Sequence, residues 1–314
     1  MKIYLKKLGI FAGASVAVFL LLTLLIAVGV VNAYYERILM NICINVILAM
    51  SANLIISYTG QLTLGHSAFM AIGAYAGALA SIRLHLPFVL ALLAGGLVAA
   101  LFGFLIGLPT LRLKGDYLAI TTLGFCQIVV VVLQNMPIAG GAQGLTGIPP
   151  ETTFAWVFFV MILTILVLYN IVHSNHGRSM IAVREDEIAA EAMGINTTRF
   201  KIMAFTIGAF FAGVGGGLYA FLMMFIEPTT FNFFKSIDFL IYVVVGGGGF
   251  AGTIGSTAVL TFLPEWLRFM GNWRMVIYPL LLIVIMVLRE KNVRLSRLIR
   301  FRLPGKKAAA QGGK

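Results

Sequence analysis

From residue 8 to residue 288 the chain is a succession of apolar runs separated by short polar turns. A spanning helix needs about 20 mostly apolar residues. Candidate runs occupy 8–31, 38–58, 61–82, 86–110, 117–136, 152–173, 202–226 and 275–288, with a longer one over 239–266. Only 11% of the residues are charged, against roughly 25% in soluble domains. The pattern predicts an all-α, polytopic membrane helical bundle: one transmembrane domain over 1–290, and a basic tail over 291–314. The first run follows Lys2, Lys6 and Lys7 and is about 24 residues long. A signal-peptide core is usually 7–15 residues, so this run reads as a retained span.

Nine runs would put the termini on opposite sides of the membrane, yet both ends are basic, and basic segments stay inside. The stretch "VVVGGGGFAGTIGST" offers the way out, because it puts six glycines between Val245 and Ser256. Each interior helical glycine costs about 1 kcal/mol against alanine, so a break and reversal is predicted at Gly246, Gly247 and Gly248. About ten full or partial spans result, with both termini cytoplasmic. Eighteen of the 23 basic residues then fall inside, nine of them in the tail from Arg289. The net charge of +12 is thus an orientation signal and an attraction to lipid headgroups, and nucleic acid is not an expected partner.

Several chemistries lack their residues. Cys43 and Cys126 lie inside apolar runs, without disulfide or metal spacing. No GxxxxGK[ST] phosphate loop occurs, so no ATP hydrolysis, enzymatic activity, cofactor or metal is expected of the chain. The eleven acidic residues sit at the edges of runs or in loops, whereas proton-coupled carriers place ionisable groups inside the membrane. A sodium-coupled carrier built on carbonyls and hydroxyls remains an alternative. The energy source is expected elsewhere.

The segment "VREDEIAAEAMGINTTRF" (183–200) stands apart, with four acidic residues between two apolar spans. Its composition predicts a short helix over 181–193, stopped at Gly194, with Asn196 or Thr197 capping the next span. "RSMIAVREDEIAAEAMGIN" resembles the cytoplasmic loop of permease subunits in ABC importers, most closely the M-type permease of branched-chain amino acid importers. "YTGQLTLGHSAFMAIGAY" (58–75), "LRLKGDYLAITTLGF" (111–125), "GGAQGLTGIP" (140–149) and "LYAFLMMFIEPTTF" (218–231) are similar to that family in the same order. The resemblance spans roughly 40–289. It departs at "LREKNVRL", where the family often has an Arg-Pro-x-Gly-Leu turn.

The resemblance implies that the loop 174–201 couples the permease to an ATPase subunit. Glu187, Ala189, Ala190, Glu191 and Gly194 are the expected coupling residues. Ile188 stands where the family's pattern has glutamate, with Glu187 one position earlier. The implied partners are a second, homologous permease, two ATP-binding cassette ATPases and an extracytoplasmic solute-binding protein. The implied cargo is leucine, isoleucine or valine, and the implied location is the bacterial inner (plasma) membrane. A permease for urea or short amides is the alternative within the class.

Polar and glycine residues at Gly60, Gln61, Gly65, His66 and Ser67 interrupt the third run, either as glue between helices or as a bent helix beside a translocation path. With the later glycine cluster they suggest an inverted repeat of broken helices. On the outer side, "PIAGGAQGLTGIPPE" is too long for a tight turn, and "EPTTFNFFKSID" carries Phe231, Phe233 and Phe234. Gly144, Phe231 and Phe234 are candidates for an outer gate or a binding-protein docking surface, with an interfacial aromatic belt as the alternative.

Overall fold

The helices Ala33–Tyr58, His66–Leu84 and Thr197–Met223 are the most buried of the long apolar helices described. The computed structural model describes residues 32–110, 115–273 and 276–285, with isolated positions at Phe19, Leu20, Thr23, Leu113 and Val287. Helix α1 (Ala33–Asn53) passes into a π-helical turn at Leu54–Tyr58, followed by α2 (His66–Leu84), α3 (Phe88–Thr110), α4 (Asp116–Asn135) and α5 (Phe154–His173). Two short helices, α6 (Asn175–Glu185) and α7 (Glu187–Ala192), lead to α8 (Thr197–Met223), α9 (Phe233–Gly246) and α10 (Phe250–Trp266). Among the described residues there is no β-strand, only one isolated bridge.

Among the described residues, six helices are long and apolar enough to cross a membrane: Ala33–Tyr58, His66–Leu84, Phe88–Thr110, Asp116–Asn135, Phe154–His173 and Thr197–Met223. They correspond to six expected runs. The span expected over 61–82 begins at His66, because residues 59–65 are not helical. The run over 239–266 is divided between α9 and α10. The first span expected over 8–31, apart from its isolated positions, and the basic tail lie outside the described residues. A separate compact unit begins at Leu263; it includes a 3-10 segment, Leu267–Trp273, and the short apolar helix Val276–Ile285.

Lipid tails are as apolar as leucine, so membrane helices associate through close backbone approach at small residues. That chemistry is visible where α2, α3 and α8 cross. A methyl group placed on Gly73 of α2 would sit 2.1 Å from the Cα of Gly213 in α8. One on Gly95 of α3 would meet the Gly73 carbonyl at 2.5 Å, and one on Gly216 of α8 the Met70 carbonyl at 2.0 Å. Gly73 and Gly77, like Gly213 and Gly217, are four residues apart and share a helix face. The outward side of α3 instead exposes Leu93, Leu97, Leu101 and Leu108, an apolar surface suited to lipid. A buried cluster of Met50 (α1), Leu54 (the π-helical turn), Leu168 and Val172 (α5), Met180 (α6) and Phe211 (α8) roots the short helix α6 in the core.

Candidate translocation and coupling site

The first break lies between α1 and α2. Gly60 has φ +70°, a backbone state that other residues adopt only at a cost, and there the chain turns out of the helix. The buried Thr59 hydroxyl donates to the Ile55 carbonyl at 2.7 Å, and the Gln61 N–H donates to the same oxygen at 3.2 Å. The side chain of Gln61 is buried, and its Nε2 has no hydrogen-bond partner. At Gly65 a methyl group would collide with the Thr122 carbonyl at 2.4 Å. The Leu64 N–H donates to the Thr122 hydroxyl at 3.0 Å. Glycine at 65 thus lets α4 press against the start of α2.

His66 and Ser67 open α2 and are both buried. The Ser51 hydroxyl donates to the Leu48 carbonyl at 2.8 Å and lies 2.8 Å from His66 Nε2. With the serine proton committed, Nε2 is the donor of that second bond. Ser67 is a hub: its N–H donates to Ser236 Oγ at 3.0 Å, and Ser236 Oγ donates to its hydroxyl at 2.7 Å. The Ser67 hydroxyl donates to the Asn232 carbonyl at 3.0 Å, with Cys126 Sγ at 3.1 Å. The polar start of α2 therefore bonds to α1, α4 and α9. Helix gluing is what these contacts do.

The second break separates α9 from α10. Gly247 and Gly248 have φ of +72° and +73°, so the predicted reversal is present. A methyl group on Gly246 would lie 2.5 Å from the Thr253 Cα, so α10 returns in backbone contact with α9. The two breaks touch each other. Asn53 Nδ2 donates to the Gly248 carbonyl at 3.2 Å, and a methyl group on Gly248 would lie 2.8 Å from Ser57 Oγ.

Beside them sit α6 and α7. The single helix expected over 181–193 is in fact two, because Asp186 is extended (φ −156°, ψ 111°) and caps α7 through the N–H groups of Ile188 and Ala189. Aspartate's short carboxylate competes with the helical backbone and favours an N-cap over a helix interior. Gly194 ends the segment at φ +81°, and Asn196 caps α8. Glu187 and Glu191 point back to α8: Lys201 Nζ lies 2.6 Å from Glu187 Oε1, and the Thr197 hydroxyl donates to Glu191 Oε1 at 2.7 Å. Ala190 is buried against this junction, whereas Ala189, Ile188 and Met193 are exposed, the last two at 76% and 82%. A cleft of about 210 Å³ separates α7 from the first break, lined by Gln61, Leu118, Val183, Arg184 and Lys201 among others.

At the opposite end, residues 137–151 form two 3-10 turns and an extended segment. Leu145 pairs with Ile226 through N–H···O bonds of 2.8 and 3.2 Å, and a methyl group on Gly144 (φ +85°) would meet the Ile226 carbonyl at 2.6 Å. Of the aromatic residues expected to be exposed, Phe234 is 72% exposed. Phe231 is fully buried, with its ring edge-on to Tyr75 and Tyr219. The turn Pro228–Phe231 folds that side chain inward.

Sequence reasoning passed over Ser51, Ser236, Arg184 and Lys201. The serines carry no local pattern. The two cations read as orientation charges; their one distinctive signal is proximity to the acidic residues of the insert.

Six apolar spans among the described residues, with two glycine breaks in contact, define a multi-pass helical membrane protein. The family described as "Branched-chain amino acid transport system / permease component" matches residues 34–287. The high-affinity branched-chain amino acid transport system permease protein LivM of Salmonella typhimurium is 35% identical over 286 residues, 80% of this chain and 67% of its own. The Escherichia coli protein of the same name is 34% identical over 305 residues, covering 86% and 71%. The fructose import permease protein FrcC of Rhizobium meliloti is 24% identical over 302 residues, covering 86% and 83%. No solved structure matches significantly. The chain belongs to the family of branched-chain amino acid transport permease components, multi-pass proteins of the inner membrane.

Proposed function

We propose that this chain is the membrane-spanning permease subunit of an ATP-driven importer for leucine, isoleucine and valine. It would work beside a second, homologous permease, with two ATPase subunits on the cytoplasmic side and a solute-binding protein outside. The two termini would be cytoplasmic, as the distribution of basic residues favours. One observation carries the reading: α7 and the residue that ends it expose Ile188 and Met193 while Glu187 and Glu191 of the same helix bond to Lys201 and Thr197 of α8. Exposed side chains of this kind offer a partner a surface to grip, and the bonds to Lys201 and Thr197 let a partner's displacement reach α8. Because α8 crosses α2 and α3 at glycine contacts, a shift of its base repacks the centre of the bundle.

In this mechanism ATP-driven closure of the ATPases moves α6 and α7, and the breaks at Gly60 and Gly247 absorb the change of path. Gln61, Gly65, His66, Ser67, Gly246 and Gly248 border the route. The segments holding Gly144 and Phe231 close its outer end, and exposed Phe234 contributes to binding-protein docking. The chain itself performs no chemistry; it supplies a route and a switch.

The test is reconstitution in liposomes. The complete assembly should accumulate labelled leucine only with ATP and loaded binding protein. Uphill uptake by the isolated chain on a sodium gradient would refute the reading, and uptake of urea instead of leucine would refute the substrate.

A further inference from the structure

We infer that Arg184 is the positioning residue that ties the α6–α7 lever to the first glycine break, at the place where that break meets the second. The inference rests on the importer reading above. Arg184 Nη1 donates to the Ser57 carbonyl at 2.8 Å, one of the last carbonyls of the helix that begins at Ala33. Such carbonyls have no intrahelical donor and carry the negative end of the helix dipole. The same side chain lines a cleft with Val243, Val244, Gly247 and Gly248, the end of α9. The end of α9 thus faces the same cleft as the arginine that bonds the other helix end.

The fit is close. A methyl group on Gly60 would lie 3.0 Å from Arg184 Cγ, so glycine there leaves room for the arginine stem. The guanidinium's other edge, Nε and Nη2, is held by Glu185, which fixes the fork in orientation. Arg184 itself lies one residue before the end of α6, whose Met180 and Val183 are buried in the core. Asn53 Nδ2, bonded to the Gly248 carbonyl at 3.2 Å, joins the first break to the second. Arg184 thus bonds the lever to the first break, and Asn53 carries that tie on to the second. When the lever moves, the arginine must either carry the end of the helix that begins at Ala33 with it or release it.

The experiment uses the complete reconstituted assembly and measures leucine imported per ATP hydrolysed, with wild-type vesicles establishing ATP-driven import independently. Arg184→Gln should keep assembly and binding-protein-stimulated hydrolysis while the import-to-hydrolysis ratio falls on the order of tenfold, the usual size of a coupling effect. Arg184→Lys, which retains the charge between the helix ends but not the fork, should fall between the two. A ratio unchanged in Arg184→Gln overturns the inference. So does a parallel loss of hydrolysis, import and thermal stability, which would mark Arg184 as structural only.

Discussion

Lys201 Nζ meets Glu187 Oε1 at 2.6 Å where α7 folds back on the base of α8, and the two side chains are only 10% and 26% exposed. Hydrogen bonds to charged groups contribute about 1.5–3 kcal/mol, and breaking one leaves the surviving charge partly desolvated. Glu187→Gln and Lys201→Met should therefore each lower stability in detergent by roughly that amount and reduce ATP-driven import. Exchanging the charges, Glu187→Lys with Lys201→Glu, should recover much of the loss. A double variant no better than the singles would show that the pair does not act as a unit.

The glycine crossings predict opposite outcomes at two sites. In Gly73→Ala the new methyl would fall 2.1 Å from Gly213 Cα, and backbone cannot yield as a flexible side chain can. Overpacking of this kind typically costs about 1–3 kcal/mol. Gly124, in the interior of α4, has nothing within 4 Å of that position, and alanine there should stabilise by about 0.5–1 kcal/mol through helix propensity. Thermal unfolding of the purified chain measures both, and a common sign would contradict the packing described.

Gly194 tests backbone strain without crowding. Its φ of +81° favours glycine, and no atom lies within 4 Å of a built methyl group. Gly194→Asn, which tolerates the left-handed region, should keep most import activity. Gly194→Val should lose it, because a β-branched residue would unwind the turn between α7 and α8. Equal activity in the two would remove Gly194 from the coupling element.

Ser51 and His66 form a buried pair at 2.8 Å, and His66 Nδ1 has no hydrogen-bond partner. Ser51→Ala leaves a second ring nitrogen unpaired, at a cost of about 1–3 kcal/mol. Adding His66→Phe removes both nitrogens and should return the protein towards its original stability. A double-mutant cycle on thermal unfolding reads the coupling directly; additive effects would mean that the bond contributes nothing.

What could be read in the sequence divides along a physical line. Span length and glycine position are local properties. The six long helices fall on six of the expected apolar runs, and the breaks at Gly60 and Gly247 follow from backbone conformations that glycine permits. Asn196 and Gly194 are legible for the same reason. Contacts between distant segments are not local, which is why Arg184 passed as an orientation charge while donating to Ser57, 127 positions away. Phe231 looked exposed beside Phe234 because a turn's direction depends on what it packs against, here Tyr75 and Tyr219. The helix boundary at Asp186 lies between these cases: a capping residue stands in "REDEIAAE", but strong helix formers on both sides of it favour one continuous helix.

The most direct test of the central claim is the sidedness and burial of Met193, which is 82% exposed at the end of α7. Met193→Cys, with the buried Cys43 and Cys126 replaced by serine, should react with a membrane-impermeant thiol reagent in inside-out vesicles and not in intact cells. Co-assembly with the ATPase subunits should protect it. Labelling from the outside, or full reactivity in the assembled importer, would contradict the assignment of α7 as the element that an ATPase grips.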